Sequence, residues 1–293
     1  MSIINKLIWR ITSKRNENAK KIQDSYIRSV PNAALPKLEF HIEDSCNLNC
    51  IGCNHFSPVA CKNPADYEEL KKDLERVAVL FGNKIGVISI LGGEPLLNPE
   101  IERFLSICRE LFPSNYIRVF TNGTLIKKMP ESFWECCKQN NIAIACTRYP
   151  IKLDYYNIKK MVEGYGITFE PMNRRSKKMT LYLLDAYGRQ DAKDNYYRLC
   201  TSNKCTFLKH GKLYPCAYAP NIEHFNKYFK KNIPLDEDDG IDIYKVNDYK
   251  EIMEFLSRPI PFCRFCIREK NKTVKWRVSE KSLDEWYYDG NWR

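Results

Sequence analysis

The sequence predicts an α/β fold, a partial (β/α)6 TIM-like barrel followed by a small cysteine-rich C-terminal domain. Short apolar segments alternate with amphipathic segments from residue 37 to about residue 185. Strands that alternate with helices favour a parallel sheet with right-handed crossovers. Six strands are few for a closed eight-stranded barrel, so we expect an open one. After about residue 186 the alternation stops and the chain becomes rich in cysteines and turns.

The strands are predicted from two patterns. KLEFHIE (37–43) alternates apolar and polar side chains, as strands with one buried face do. GVISIL (86–91) is a short apolar run, which is typical of buried parallel strands. The six predicted strands are 37–43, 86–91, 116–122, 142–147, 167–172 and 180–185.

The helices are predicted from apolar residues at helical spacing. In the first of them, Tyr67, Leu70 and Leu74 recur on one face. In the second, Asn98 is a candidate cap and Pro99 fits the first helical position. The four predicted helices of the barrel are 65–81, 98–112, 131–139 and 154–166.

These patterns divide the chain into three regions. Residues 1–36 are predicted to form a basic amphipathic helix and a linker. We expect this helix to pack on the body of the protein, with a membrane-surface or partner helix as the alternative. Residues 37–185 form the predicted barrel, and residues 186–293 form the predicted cysteine-rich domain and C-terminal tail.

Composition restricts the class of protein. The 293 residues are 44% hydrophobic, and no apolar run is long enough to predict a membrane span. The N-terminus lacks the features of a signal peptide, which favours a cytoplasmic protein. The net charge of +11 suits a phosphorylated substrate or a solvated basic surface. No arginine-rich tract is present, so nucleic acid is not the expected partner.

The thirteen cysteines favour metal or redox chemistry over disulfides, because clustered thiols in a reducing compartment more often bind metals. CNLNCIGC places Cys46, Cys50 and Cys53 on one loop after the first predicted strand. Three thiolates at this spacing can bind three irons of a 4Fe–4S cluster. The fourth iron is then open to a substrate or cofactor.

Two alternatives complete this site with a fourth side chain. A zinc site would use Cys61 or His55, although zinc sites usually join two paired knuckles and these cysteines share one loop. A four-cysteine cluster would use Cys61, but seven residues including Pro58 intervene. The open cluster is the preferred interpretation.

Further motifs follow the next three predicted strands: GGEP after the second, TNG after the third and TRYP after the fourth. Ligands of parallel sheets collect at the carboxyl ends of the strands, so we expect one shared site. CX3CX2C followed by LGGEP resembles the radical S-adenosylmethionine (SAM) superfamily. The similarity covers about residues 37–185.

The resemblance implies a cofactor and a set of contacts. In this family the methionyl amine and carboxylate of SAM chelate the open iron, and the resulting 5′-deoxyadenosyl radical abstracts a hydrogen atom from the substrate. Glycines let the backbone approach a ligand closely, and Arg148 can bind a carboxylate through its forked nitrogens. The implied cofactor-binding residues are Gly92, Gly93, Glu94, Asn122, Thr147 and Arg148.

One position departs from the family pattern. The family usually has an aromatic residue just before the third cysteine, near the adenine, and this chain has Gly52 there. His55 or Phe56, just downstream, is then the expected contact.

A second set of cysteines resembles the ligands of SPASM and twitch auxiliary-cluster domains. The late CX2C motif fits the shorter twitch form, with one 4Fe–4S cluster, and is similar to the 2-deoxy-scyllo-inosamine dehydrogenase pattern. One assignment leaves Cys205 spare, and another uses it and leaves a different cysteine to meet the substrate. A zinc knuckle is the structural alternative. The candidate ligands are Cys200, Cys205, Cys216, Cys263 and Cys266.

The resemblance implies a radical SAM oxidoreductase with an electron donor such as flavodoxin or ferredoxin. A second cluster can accept an electron from a substrate radical, and a basic protein suits a phosphorylated or nucleotide-linked sugar. We therefore expect oxidation or epimerisation of a sugar or aminocyclitol-like molecule. The alternatives are maturation of a ribosomal peptide and a non-catalytic, metal-stabilised binding module. The candidate catalytic side chains are His55, Arg148, Cys205 and His210.

The tail VKWRVSEKSLDEWYYDGNWR (274–293) is rich in aromatic residues. It has two predicted placements. It either folds back over the mouth of the barrel and excludes water, or packs on the second domain.

Overall fold

The centre of the protein is a sheet whose first five strands are parallel. The structure is a computed structural model that describes residues 34–172, 178–185, 187–200 and 205–288. The helix predicted within residues 1–36 falls almost entirely outside these ranges. The five strands are β1 (Leu35–His41), β2 (Ile85–Leu91), β3 (Tyr116–Thr121), β4 (Ile142–Thr147) and β5 (Phe169–Met172). Each pairs with the next in chain order.

The sixth parallel strand differs from the prediction. β6 (Lys178–Leu181) lies outside this sheet and pairs antiparallel with β10 (Lys272–Lys275). The strand that joins the sheet instead is β7 (Thr206–Lys209), parallel to the free edge of β1. The prediction of 180–185 as a barrel strand was wrong because an apolar run indicates a strand without indicating its partner.

Two short antiparallel strands complete the sheet: β8 (Lys212–Tyr214) and β9 (Ile241–Asp242). The order of the eight strands is β5-β4-β3-β2-β1-β7-β8-β9. This mostly parallel α/β architecture confirms the predicted fold class.

Helices connect the parallel strands and cover one face of the sheet. They are α1 (Tyr67–Phe81), α2 (Ile101–Leu111), α3 (Glu131–Gln139) and α4 (Tyr155–Gly164). Two later helices follow the parallel strands: α5 (Tyr218–Phe229) packs in a second hydrophobic core, and α6 (Tyr249–Leu256) packs in the main one. The side chain of Asp66 caps α1 by accepting from the Glu69 N–H at 2.8 Å. α2 begins at Ile101, later than the Pro99 start predicted. In the described part of the chain, no helix has the length and apolarity needed to span a bilayer.

The two faces of the sheet differ in chemistry. On the outer face, Leu38, Ile88 and Val119 join the main hydrophobic core with the helices. Successive side chains of a strand point to opposite faces of the sheet. The neighbours of these residues along each strand therefore point to the inner face. The inner face carries buried charges, including the ion pair between Arg118 and Glu170 at 3.0 Å. A polar inner face suits a hydrophilic ligand.

Candidate functional site

The three cysteines of the first loop face one cavity. The loop follows β1, and Cys46, Cys50 and Cys53 line a cavity of about 220 Å³ at the carboxyl end of the sheet. The rest of the lining includes Gly92, Gly93, Phe120, Asn122, Thr147 and Tyr149, which follow or end the next three strands. The structure therefore brings together the motifs that follow the first four strands.

Burial determines the state of these thiols. It raises the pKa of Cys46 to about 11 and the pKa of Cys50 to about 12. Burial also raises the pKa of Cys53. A nearby cation is therefore needed to convert the thiols to thiolates, and this is what metal binding supplies.

The two glycines of the GGEP motif lie against the start of the cysteine loop. The Gly93 N–H donates to the Glu43 carbonyl at 2.7 Å, and the Glu94 N–H donates to the Ser45 carbonyl at 3.0 Å. A Cβ on Gly92 would lie 2.4 Å from the Glu43 oxygen, and one on Gly93 would lie 2.3 Å from the Ser45 oxygen. Glycine is thus required here for backbone packing. The contact of these residues with SAM remains a prediction.

Glu94 is buried and connects the end of β2 to the end of β3. Its carboxylate accepts from the Thr121 hydroxyl at 2.7 Å and from the Asn122 N–H at 2.8 Å. Burial raises the pKa of Glu94 from 4.5 to about 7, although these hydrogen bonds lower it. Hydrogen bonds within the protein therefore use much of the accepting capacity of this carboxylate. Its contact with the methionyl ammonium remains a prediction.

Replacement of Glu94 by Gln is expected to remove a pH dependence of stability. The folded state holds the Glu94 proton up to a higher pH than the unfolded state, so the free energy of unfolding falls as pH rises from 4.5 to about 7. The amide of E94Q cannot accept from both donors, and we expect a loss of about 1–3 kcal/mol. Urea unfolding across this interval measures both effects. The exposed Glu68 on α1 provides a control, E68Q, and an unchanged slope in E94Q would contradict the prediction.

Glu94 and Arg148 do not line the cavity, unlike the other four predicted cofactor-binding residues. Asn122 Nδ2 lies 3.8 Å from the Cys46 sulfur. At the end of β4, Thr147 and Tyr149 both line the cavity and Arg148 between them does not, as the alternation of an extended chain predicts. Sequence reasoning missed Tyr149, and the same alternation could have indicated it.

Of the four candidate catalytic side chains, His55 alone lines the cavity. Its Nδ1 lies 2.6 Å from His41 Nε2. Burial lowers the pKa of His55 to about 3, so the ring is uncharged at neutral pH. His210 lies on the turn between β7 and β8, where its 66% exposed side chain pairs with Glu69 at 2.8 Å. The structure does not bring His210 to this site.

The backbone conformation and close packing at Gly52 explain why no aromatic residue precedes the third cysteine. Its φ is +58°, and a Cβ there would lie 2.3 Å from Leu181 Cδ2. Any larger side chain would therefore be strained and would clash. Phe56 does not line the cavity either, because it is fully buried and packs edge-to-face on Tyr218 with ring centroids 5.2 Å apart. Of the two expected adenine contacts, His55 is the one at the cavity.

The C-terminal segment (276–288) covers one side of the cysteine loop. The Ile51 N–H donates to the Arg277 carbonyl at 3.0 Å. The indole N–H of the buried Trp286 donates to the Cys53 carbonyl at 2.8 Å. Trp286 also packs in the hydrophobic core of the second region. The segment therefore has features of both predicted placements.

Four of the five later cysteines line a second cavity, of about 20 Å³. They are Cys200, Cys216, Cys263 and Cys266. Cys205 lies elsewhere, with its sulfur 3.6 Å from the Lys37 ammonium of β1. The structure thus separates Cys205 from the other candidate ligands, as in the assignment that leaves it spare.

A buried cation accompanies this second set. Arg268 is 7% exposed, and its Nη2 lies 3.8 Å from the Cys200 sulfur. Burial opposes its charge, but the sulfurs of Cys266 and Cys200 raise the pKa of the guanidinium above its usual range. Within the described ranges the Arg268 Nε has no hydrogen-bond partner. A buried cation beside sulfurs fits a site that carries negative charge, as four thiolates around a cluster do.

The described residues contain no group of three or more His, Cys, Asp or Glu that is close enough to hold a single metal ion. Of the two proposed fourth ligands, Cys61 is exposed and does not line the first cavity, whereas His55 lines it.

Comparison with known proteins identifies the superfamily. Residues 42–182 match the Radical SAM superfamily. A GTP 3′,8-cyclase of Clostridium acetobutylicum is 25% identical over 245 residues, which are 78% of this chain and 74% of that protein. A probable GTP 3′,8-cyclase of Methanocella arvoryzae is 31% identical over 101 residues, which are 34% of this chain and 31% of that protein.

A solved structure is similar in fold. BtrN in complex with AdoMet and 2-DOIA has a TM-score of 0.50 and 16% identity, covering 80% of this chain and 93% of that chain. The radical SAM match over residues 42–182 confirms the resemblance seen in the sequence, and the protein is an enzyme. A 4Fe–4S cluster and SAM are the cofactors of this superfamily.

Proposed function

We propose that this enzyme abstracts a hydrogen atom from a hydroxylated small molecule, a sugar or an aminocyclitol-like molecule, and oxidises or epimerises it. The observation that carries the proposal is a cavity lined by three cysteines at the carboxyl end of a polar inner sheet face, in a chain with four further cysteines around a second cavity. The first feature suits radical generation. The second suits an electron acceptor.

The residues of the first cavity have distinct proposed roles. When bound, the reduced cluster and SAM supply an electron and a 5′-deoxyadenosyl radical. Cys46, Cys50 and Cys53 would hold three irons, while Asn122 and Thr147 are placed to contact SAM. The C-terminal segment restricts access of water to the loop, which protects reactive intermediates.

The inner face supports a polar substrate. Its charged groups include Lys37 and Glu39, which pair at 2.6 Å, and the buried pair Arg118 and Glu170 at 3.0 Å, and none of the four lines the cavity itself. These groups can hydrogen-bond to hydroxyl groups of a ligand. The relatives named for GTP and the complex of BtrN with 2-DOIA also favour a small molecule.

The second cysteine set supports net oxidation. Conversion of an alcohol to a carbonyl removes two electrons and two protons. Abstraction of the carbon-bound hydrogen removes one of each, so one electron and the hydroxyl proton must still leave the substrate. We assign the role of electron acceptor to a cluster held by the second set of cysteines. The positive charge of the neighbouring Arg268 would favour the reduced state of that cluster.

Alanine at Cys263 is expected to remove one cluster and leave the other. Iron should fall by about four atoms per chain, while release of 5′-deoxyadenosine from SAM with dithionite should persist. Iron analysis and chromatography of the nucleoside measure the two effects. Cys205→Ala is the matched control and should retain all the iron, because Cys205 lies apart from the set. Loss of about four irons in C205A would contradict this assignment.

Deuterium transfer tests the substrate class. Anaerobically reconstituted enzyme is incubated with SAM, dithionite and deuterated nucleotide-linked sugars, aminocyclitols or peptides. We expect deuterium in 5′-deoxyadenosine with a sugar or aminocyclitol. Transfer from a peptide alone would replace the proposal with peptide maturation. Absence of any 5′-deoxyadenosine from iron-replete protein would favour a binding module.

A further inference from the structure

The indole of Trp276 lies beside the cysteine loop with its N–H unused. Its Nε1 is buried and finds no hydrogen-bond partner in the part of the chain that the structure describes. Its ring centroid lies 5.9 Å from that of Tyr149, which lines the first cavity. The adjacent carbonyl of Arg277 accepts from the Ile51 N–H at 3.0 Å. This hydrogen bond fixes the backbone beside Trp276 against the loop.

Two further contacts hold this part of the C-terminal segment in register with the loop. Val278 and Cys50 form an antiparallel bridge. The Ser279 N–H donates to the Asn49 carbonyl at 2.7 Å. The position of the indole therefore does not depend on one contact.

The side chains of Trp276 and Tyr149 both lie near the sulfur of Cys50. Each carries a donor, an indole N–H on Trp276 and a phenolic O–H on Tyr149, and the bridge between Val278 and Cys50 holds the backbone two residues from Trp276 against this cysteine. Donors of this kind stabilise a thiolate more than a thiol. The two side chains approach from different elements, Tyr149 from the end of β4 and Trp276 from the C-terminal segment.

We propose that Trp276, together with Tyr149, donates a hydrogen bond to the Cys50 sulfur or to a sulfide of its 4Fe–4S cluster and so raises the reduction potential of that cluster. The inference rests on the proposed ligand role of Cys50. Hydrogen bonds to the sulfurs are among the determinants of cluster potential. Reduction adds negative charge, which a donor stabilises, so the indole favours the reduced state.

The test is a redox titration of the full-length, reconstituted Trp276→Phe variant, followed by EPR. Phenylalanine keeps an aromatic ring and removes the N–H. The SAM-binding cluster is identified by the change of its EPR signal when SAM is added. At a fixed solution potential, we expect the ratio of reduced to oxidised cluster to fall about three- to tenfold, where tenfold corresponds to about 59 mV for one electron.

Trp134→Phe is the matched control. Trp134 is also buried with an N–H that has no partner among the described residues, but it lies on α3 and stacks on Tyr165. W134F should leave the potential unchanged. The second cluster serves as an internal reference, and its potential should not move in W276F. Tyr149→Phe should shift the SAM-binding cluster in the same direction as W276F.

An unchanged potential in W276F that retains its iron would overturn the inference. If W276F binds less iron, Trp276→His decides, because it returns a ring N–H: an iron content and potential close to wild type support the donor role, and values like those of W276F overturn it. Failure of the ligand assignment would be seen separately, as full iron content in Cys50→Ala.

Discussion

Alanine at Cys46, Cys50 or Cys53 is expected to abolish cleavage of SAM. Each of these cysteines lines the same cavity, and in the proposed site each would hold one iron of the cluster and leave the fourth iron open. Loss of outer partners of a metal site already costs about 10- to 100-fold, so loss of a ligand should reduce 5′-deoxyadenosine release by more than about 100-fold. Iron should fall by about four atoms per chain.

Cys61→Ala is the control for this series. Cys61 is an exposed thiol on the same connection, eight positions after Cys53. If the cluster has an open iron, C61A keeps both its iron and its SAM cleavage. Loss of the SAM-binding cluster in C61A would instead identify Cys61 as a fourth ligand, and the proposed radical chemistry would have no open coordination position.

Alanine at Gly93 is expected to damage the same site without removing a ligand. The added Cβ would lie 2.3 Å from the Ser45 oxygen and 2.5 Å from the Asp44 oxygen. These are backbone atoms at the start of the cysteine loop, so they cannot move without moving the loop. Overpacking of this kind costs about 1–3 kcal/mol. We expect a lower free energy of unfolding, reduced iron content and weaker SAM binding.

Gly164→Ala is the matched control for G93A. Gly164 is the last residue of α4, and a Cβ there would meet no atom within 4 Å. This substitution should be neutral or slightly stabilising, because alanine is the better helix former. Thermal unfolding and iron analysis of the two variants separate a local clash from a general effect of the extra methyl group. Equal stability and iron content in G93A and wild type would contradict the close approach.

The strands and helices between residues 35 and 172 could be predicted because their periodicity is local and their partners are consecutive. β1 to β5 pair in chain order, as crossover connections require. β6 was assigned to the wrong sheet and β7 was not predicted, and the partners of both lie far away in the sequence. β6 pairs with β10, and β7 pairs with β1. An apolar or alternating run contains no information about such partners.

For the candidate site, the sequence likewise predicted the features that depend on local order along the chain. Motifs at the ends of parallel strands meet because those ends share one edge of the sheet, and this placed the three cysteines with Asn122 and Thr147. Side-chain direction and distant contacts were not predictable in this way. Arg148 does not line the cavity, and Cys205 lies beside Lys37. The ligand role of these cysteines stays a prediction until iron is measured.

The cover over the cysteine loop also determines when the site can mature. Trp286, which binds the Cys53 carbonyl, is separated from it by 233 positions. During synthesis the N-terminal part of a chain emerges from the ribosome first, and contacts of long sequence separation form late. The nascent chain therefore presents its three thiols to solvent and oxidants before Trp286 exists. A cluster held by these thiols would be covered on this side only once Trp286 has been synthesised.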